Sequence, residues 1–319
     1  MILVTGGAGF IGSALVKRLV SAGEEVMAFD NCSRGSFSRL PTGALHVVGN
    51  IQNRHDLMTA FGPAITEVIH LACINGTENF YTKPDEVLHV GVVGMLNVMF
   101  ACYHYKVDKL MFASSSEVYQ TPTVVPTPET VPCVIPDPYN PRYSYAACKM
   151  ISEMFLIHNK DGPRHATIVR PHNIYGPDMG YEHVIPQLAL KIKKGEDLYF
   201  QGNEPQAAVN GQKVFYGGEQ TRAFTYIDDA IDQIMLVREH GKHLQTYNIG
   251  NEEEVSIIDL AQRIAKRAGQ TIKYTVGKPG DGGTLRRCPD MSKLKAMGYT
   301  PKVSLDEGLD KTLEWYWRK

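Results

Sequence analysis

Short apolar runs alternate with stretches of helical period along the first half of the chain. Residues 2–5, 25–29, 44–48, 68–71, 109–114 and 166–170 read as strands; residues 11–22, 87–103 and 143–158 read as helices, the first ending near Gly23. Strands alternating with helices in this way predict crossover units, hence an α/β fold with a doubly wound parallel sheet. Residues 121–141 are rich in Pro and Thr and predict a loop over the sheet edge. Beyond residue 175 the pieces shorten: helices are expected at 184–194, 227–240, 257–268 and 305–317, short strands at 198–200, 246–249 and 271–276, and an exposed loop at 203–216. The chain therefore divides into a sheet domain over residues 1–175 and a smaller C-terminal α/β lobe over residues 176–319, with chain crossing between the two.

Composition narrows the class without deciding the chemistry. Of 319 residues 43% are hydrophobic and 21% charged, and the formal net charge is -1. Nothing in that balance suggests broad affinity for nucleic acid or an anionic membrane. No apolar run approaches the ~20 residues that span a bilayer, and the start of the chain lacks a signal-peptide pattern, so a cytoplasmic protein with no membrane partner is expected. The six cysteines, Cys32, Cys73, Cys102, Cys133, Cys148 and Cys288, form no Cys-x-x-Cys pair and fit no zinc spacing. They read as free thiols of a reducing compartment, and no metal site is expected.

Candidate chemistry begins at Thr5-Gly6-Gly7-Ala8-Gly9-Phe10-Ile11-Gly12. Gly6, Gly9 and Gly12 follow a strand and open a helix, where a tight turn lets the backbone approach a pyrophosphate. The helix start offers free N–H groups and a partial positive charge to the phosphates. Asp30 ends the second strand, 18 positions past Gly12, near the ~20 expected for a carboxylate that accepts from the adenine ribose hydroxyls. It would repel a 2′-phosphate, which favours NAD over NADP. Arg34 reads as a solvated surface charge.

Tyr145-Ala146-Ala147-Cys148-Lys149 supplies the second constellation. Tyr145 and Lys149 share one helix face. An ammonium beside a phenol favours the phenolate and lowers its pKa, so Tyr145 can take a proton from an adjacent carbinol. Ser114-Ser115-Ser116-Glu117-Val118-Tyr119 directly follows a strand, and a hydroxyl there can orient the substrate oxygen.

With these motifs the chain resembles the extended short-chain dehydrogenases/reductases of the nucleotide-sugar epimerase/dehydratase group. The resemblance spans nearly the whole length. It adds Asp30-Asn31, His70-Leu71-Ala72, Gly94-Met95-Leu96-Asn97-Val98, Arg170-Pro171-His172-Asn173-Ile174-Tyr175-Gly176-Pro177, the run from Glu219 to Asp229, and Pro289-Asp290-Met291-Ser292-Lys293. It implies a Rossmann domain, bound NAD, a nucleotide-diphosphate sugar in the C-terminal lobe, and a homodimer built on helices 87–103 and 143–158. By the same resemblance Ser115, Tyr145 and Lys149 match the catalytic triad. Phe10, Ile11, Asn31, Asn50, Ile51, Leu71, Ala72 and Pro171 join the glycines and Asp30 around the cofactor; Ser116, Asn173 and Arg222 match substrate-holding groups.

The outcome of the reaction turns on fewer residues. The group oxidises the sugar at C4, and the 4-keto product acidifies C5. Glu117 lies two residues beyond Ser115, so on an extended segment both side chains point the same way. A carboxylate there resembles the base of GDP-mannose dehydratase-like enzymes and the acid of UDP-glucuronate decarboxylase-like enzymes. Pro141-Arg142 before Tyr145 and Arg287-Cys288-Pro289 resemble further decarboxylase segments, in which Arg287 handles either a sugar carboxylate or the diphosphate. Ser116-Glu117 departs from the Asp-Glu pair of dTDP-glucose dehydratases. Residues 75–81 are expected to face the sugar. An epimerase/dehydratase-type outcome with Glu117 acting at C5 is expected; decarboxylation of a UDP-hexuronate, a plain C4 dehydrogenase and a non-catalytic NAD sensor are the alternatives.

Overall fold

A computed structural model describes residues 1–202, 208–209, 212–213, 218–279 and 283–318. Its centre is a seven-stranded parallel sheet. Six strands come from the first half: β1 (Ile2–Thr5), β2 (Val26–Asp30), β3 (Leu45–Val48), β4 (Glu67–His70), β5 (Lys109–Ala113) and β6 (His165–Pro171). The seventh is Gln245–Ile249, and the spatial order is Gln245–Ile249, β6, β5, β4, β1, β2, β3. β1 and β4 are buried at every position, as expected of strands covered on both faces. β3 closes the sheet and leaves Leu45 and Val48 exposed.

The helices of the first half are α1 (Phe10–Ser21), α2 (Arg54–Ala60), α3 (Thr77–Thr82), α4 (Pro84–Tyr105) and α5 (Ser144–His158). α4 and α5 pack closely because Gly91 has no side chain; a Cβ there would stand 2.4 Å from Cys148 Sγ. By length and composition α4 is long and apolar enough to cross a membrane, contrary to the expectation that no apolar stretch approaches that length. Its inner positions Val87, Val90, Met95, Val98 and Cys102 are buried.

After β6 the chain leaves the sheet and later returns. Thr225–Tyr226 pairs with Ile174–Tyr175, and α6 (Val184–Lys193) and Ile257–Ala268 cover a parallel pair formed by Leu198–Gly202 and Tyr274–Pro279. A three-stranded sheet joins Glu254–Ser256, Thr221–Ala223 and Arg286–Arg287. α7 (Ile227–His240) then runs back beside α1, and Gln245–Ile249 adds to β6. One continuous core holds Val4 and Leu15 of the first half together with Ile231, Leu260 and Leu309. Within the loop expected at 203–216, residues 203–207, 210–211 and 214–216 lie outside the described residues, whereas Ala208–Val209 pairs antiparallel with Gln212–Lys213. That strand pair corrects the expectation of a loop alone.

Candidate active site

β1 ends where its two neighbours, β2 and β4, lie on opposite sides, so a crevice opens above its carboxyl end. The glycine turn fills that point. Gly6 has a φ of 70°, and a Cβ on Gly12 would lie 2.0 Å from the Gly6 carbonyl oxygen. Only glycine lets α1 start this close to β1. Gly9 precedes α1, and Phe10 and Ile11 begin it half-buried, with their N–H groups at the helix start. Asp30 closes the floor: its Oδ2 accepts from Ala8 N at 3.0 Å and its Oδ1 from Cys32 N at 2.8 Å. Two oxygens offer about four acceptor positions, so capacity remains for a diol.

The flanking residues converge on the same crevice. Asn31 Oδ1 accepts from Ser33 N, and Asn50 Oδ1 accepts from Gln52 N. Ile51 is buried beneath α4, its carbonyl accepting from Asn97 Nδ2 at 2.9 Å. Leu71 N donates to the Thr5 carbonyl and Ala72 N to Thr5 Oγ1. Pro171 ends β6. Arg34 is exposed, as expected, and its guanidinium meets Glu182 and the Asn75 carbonyl at the surface.

A Gly12→Ala substitution is expected to destabilise the fold by about 3 kcal/mol, the upper end for overpacking, since the obstruction is backbone that cannot swing away. Equilibrium denaturation measures the loss, and NADH fluorescence should show cofactor binding abolished.

On the opposite wall Tyr145 is buried on α5, its ring stacked against Phe80 of α3 with centroids 4.8 Å apart and planes 10° apart. Its hydroxyl lies 3.8 Å from Cys73 Sγ. Burial first, then Cys73 and Cys148, push the phenol well above its usual range, and a hydrogen bond with Ser115 opposes them. The phenol is therefore raised rather than lowered as expected, because burial is the largest influence on it. The Lys149 ammonium, itself buried, donates to the Ala113 carbonyl at 2.6 Å and stands 5.6 Å from the Tyr145 ring centre. Beneath it burial, then Lys149, keep His70 near 3, so the imidazole paired with Thr5 Oγ1 is neutral.

The segment after β5 also differs from the extended run expected. Ser115 caps a 3-10 turn over Ser116–Tyr119, its Oγ accepting from Glu117 N at 3.2 Å, and Ser116 is buried within it. Turning here points Glu117 away from Ser115 into an arginine cluster. Its Oε1 meets Arg287 Nη1 at 2.5 Å and its Oε2 meets Arg142 Nη1 at 3.3 Å. Burial pushes the carboxyl up, but Arg287 and Arg142 outweigh it and hold the pKa at about 2. Arg287 also donates from Nη2 to Thr284 Oγ1 at 3.1 Å, and its buried Nε has no partner among the described residues. Arg222 Nη1 donates to the Thr221 carbonyl at 2.7 Å; burial and then Arg287 lower this guanidinium to about 9. Asn173, in the left-handed region at φ 39°, anchors itself through Nδ2 to the Ala223 carbonyl.

The sign of the Glu117 contribution follows from its depressed pKa. The folded state gains its full stabilisation above the unfolded value near 4.5 and loses it as pH falls towards about 2. The stability gap between the parent protein and Glu117→Gln is therefore expected to be constant above pH ~4.5 and to shrink below it, as urea titrations at several pH values would show.

Sequence reasoning thus brings Ser115, Tyr145 and Lys149 to one wall, and Glu117, Arg142, Arg222 and Arg287 to an adjoining pocket. Phe80, Cys73 and Thr284 were missed as neighbours of these groups. Phe80 lies in the 75–81 segment expected to face the sugar, but no local signal marks a ring that stacks across the fold.

Comparison with known proteins gives a consistent result. Residues 2–250 match the family model described as NAD dependent epimerase/dehydratase family. The chain is 32% identical over 336 residues to a UDP-N-acetyl-alpha-D-glucosaminuronate decarboxylase of Bacillus cytotoxicus, covering 98% of this chain and 97% of that protein. Among solved structures it superposes on the UDP-glucose 4-epimerase of Thermotoga maritima with UDP-glucose, with a TM-score of 0.86, 28% identity, and coverage of 99% of this chain and 98% of the other. It also superposes on MoeE5 in complex with UDP-glucuronic acid and NAD, with a TM-score of 0.81, 26% identity and 99% of each chain covered.

Proposed function

This chain belongs to the NAD dependent epimerase/dehydratase family, and on that premise we propose that it decarboxylates the hexuronic acid of a nucleotide-diphosphate sugar after oxidising it at C4. The observation that carries this reading is the cluster in which Arg142 and Arg287 both pair with Glu117 while Arg222 stands close enough to feel their charges. Arg287 is buried and Arg142 and Arg222 are half-buried, a guanidinium cluster that favours an anionic ligand, and the buried Nε–H of Arg287, without a partner among the described residues, calls for an acceptor.

The residues of the crevice fit a dinucleotide. The glycine turn, held tight by backbone packing between Gly6 and Gly12, would cradle a pyrophosphate at the start of α1, where the N–H groups of Phe10 and Ile11 lie in the first helical turn. Asp30 and Asn31 would hold the adenosine ribose, Asn50 and Ile51 the adenine, and Leu71, Ala72, Pro171, Tyr145 and Lys149 the nicotinamide half. When bound, NAD supplies a hydride acceptor at the sugar carbinol.

The chain's own groups do the rest. Tyr145 takes the C4 hydroxyl proton, and Ser115 holds the same oxygen. Lys149, anchored on the Ala113 carbonyl, places its charge beside the phenol and lowers the cost of the phenolate. Arg287 and Arg142 hold the sugar carboxylate, and Arg222 and Asn173 the diphosphate. With a ketone at C4 the C5–carboxylate bond breaks, its electron pair moves to the C4 oxygen, and carbon dioxide leaves. Tyr145, now protonated, hydrogen-bonds that oxygen until a proton arrives at C5; the C4 ketone then regains the hydride and takes the proton back from Tyr145, which restores the alcohol. This route asks for no base at C5. Glu117, held near 2, is a poor proton acceptor and instead orients the two arginines.

The experiment is incubation with UDP-glucuronate and with UDP-glucose, following product mass. Loss of carbon dioxide from the first supports the reading. Conversion without mass change would favour 4-epimerisation, the second reading, which also needs no base at C5.

We also assign the chain to a cytoplasmic homodimer. α4 and α5 carry Leu88, Leu96, Ile151 and Met154 exposed on their outer faces, an apolar surface that a second copy can cover as a four-helix interface. Leu96→Glu with Met154→Glu is expected to yield monomer in light scattering where the parent protein yields dimer.

A further inference from the structure

The loop after β2 is tied across the crevice. Arg34 Nη2 meets Glu182 Oε2 at 2.6 Å, and its Nη1 donates to the Asn75 carbonyl. Arg39 Nε meets Asp178 Oδ2 at 2.7 Å, while its Nη2 and Nη1 donate at 3.4 Å to the carbonyls of Asp178 and Ala8. Ala8 belongs to the glycine turn, and its carbonyl also accepts from Ser36 N at 3.1 Å. A Cβ on Gly35 would stand 2.5 Å from that same oxygen, so the loop lies directly on the turn.

The topology says what these bridges pass over. Arg34 and Arg39 follow β2, Asn75 follows β4, and Asp178 and Glu182 lie between Ile174–Tyr175 and α6. Since β2 and β4 flank β1, a side chain reaching from beyond β2 to beyond β4 crosses the end of β1, where the glycine turn sits. The stretch so fastened begins at Asp30 and Asn31. Any dinucleotide seated on the turn leaves past it.

The bridges are also of breakable strength. Side-chain exposure is 35% and 45% for Arg34 and Glu182, and 21% and 40% for Arg39 and Asp178. Ion pairs this exposed contribute little to folding and are screened by salt. They suit a closure that opens on the timescale of ligand exchange better than they suit a structural strut.

We propose that the Arg34–Glu182 and Arg39–Asp178 ion pairs form a clasp over the dinucleotide crevice and set how long bound NAD stays. The clasp rests on the reading of that crevice as the NAD site. Neither arginine is needed for the chemistry, which lies on the far wall with Tyr145 and Ser115.

The test loads the full-length protein with NADH, chases it with excess NAD, and follows dissociation by fluorescence. Arg34→Gln and Glu182→Gln are each expected to speed release by about two- to fivefold, and the pair combined no more than Arg34→Gln alone, because that variant already removes the shared ion pair along with the bond to the Asn75 carbonyl. Adding Asp178→Asn should bring the increase to about tenfold. Release from the parent protein should quicken with ionic strength, and release from the triple variant should not. A triple variant that keeps the parent's release rate and salt dependence would overturn the clasp while leaving the NAD site intact, as would single effects that simply add. A parent protein that binds no NADH would overturn the assignment of the crevice, and the clasp with it.

Discussion

A Tyr145→Phe variant should lose about 10²- to 10⁴-fold in kcat, the range that one positioned proton-transfer group supplies. The substitution removes a single oxygen from a ring packed against Phe80, so the fold should be unchanged. The pH profile carries a second readout. Burial and the thiol of Cys73 hold the phenol high, while Ser115 pulls it down. A Ser115→Ala variant should therefore move the alkaline shift of kcat further up in pH, not down. A Tyr145→Phe enzyme with undiminished turnover would remove the phenol from the chemistry.

Arg287→Met should weaken kcat/KM for a hexuronate substrate by about 2–5 kcal/mol, the cost of removing one partner of a buried, hydrogen-bonded charge pair, which is roughly 30- to several-thousand-fold. The variant strips Glu117 of its closer partner, at 2.5 Å, and leaves Arg142 at 3.3 Å. Arg287→Lys keeps the charge without the fork and should recover only part of the loss. Measured against a neutral UDP-hexose, the same variant should lose much less, which separates carboxylate recognition from damage to the fold. Equal losses on both substrates would place Arg287 on the diphosphate.

The scaffold was legible wherever burial imposes its own period. Residues 227–240 and 257–268 were read as helices with the bounds observed, Ile227–His240 and Ile257–Ala268, because each presents one apolar stripe to the core. Strands of the main sheet were read within about a residue, since short apolar runs mark them and all but β3 are largely buried. Their order was not, and neither was the return of Gln245–Ile249 to pair with β6. That pairing is fixed by α7 lying beside α1, a contact between segments about two hundred residues apart in sequence, as in the Arg18–Asp232 pair.

The site divides in the same way. Gly6, Gly12, Asp30, Tyr145 and Lys149 were readable because turn geometry and helical spacing are local. The electrostatic character of the site was not. Glu117 is defined by Arg287, 170 residues away, and by a turn that Ser115 caps. The phenol of Tyr145 is set by burial and by Cys73, and its ring stacks on Phe80; these residues follow β4 and lie on α3, roughly seventy positions before it in sequence. Arg34 was readable as a surface charge, but not its pairing with Glu182, 148 residues away.

Turnover of UDP-glucuronate in deuterium oxide, with product and remaining substrate both examined by mass and proton resonance, tests the reaction most directly. The expected product is lighter by carbon dioxide and carries one deuterium at C5, while the unreacted hexuronate carries none, because the carboxylate rather than a proton leaves that carbon. Deuterium washed into C5 of the unreacted hexuronate, or a product that has lost water, would show a base working at C5 and contradict the locked role given to Glu117.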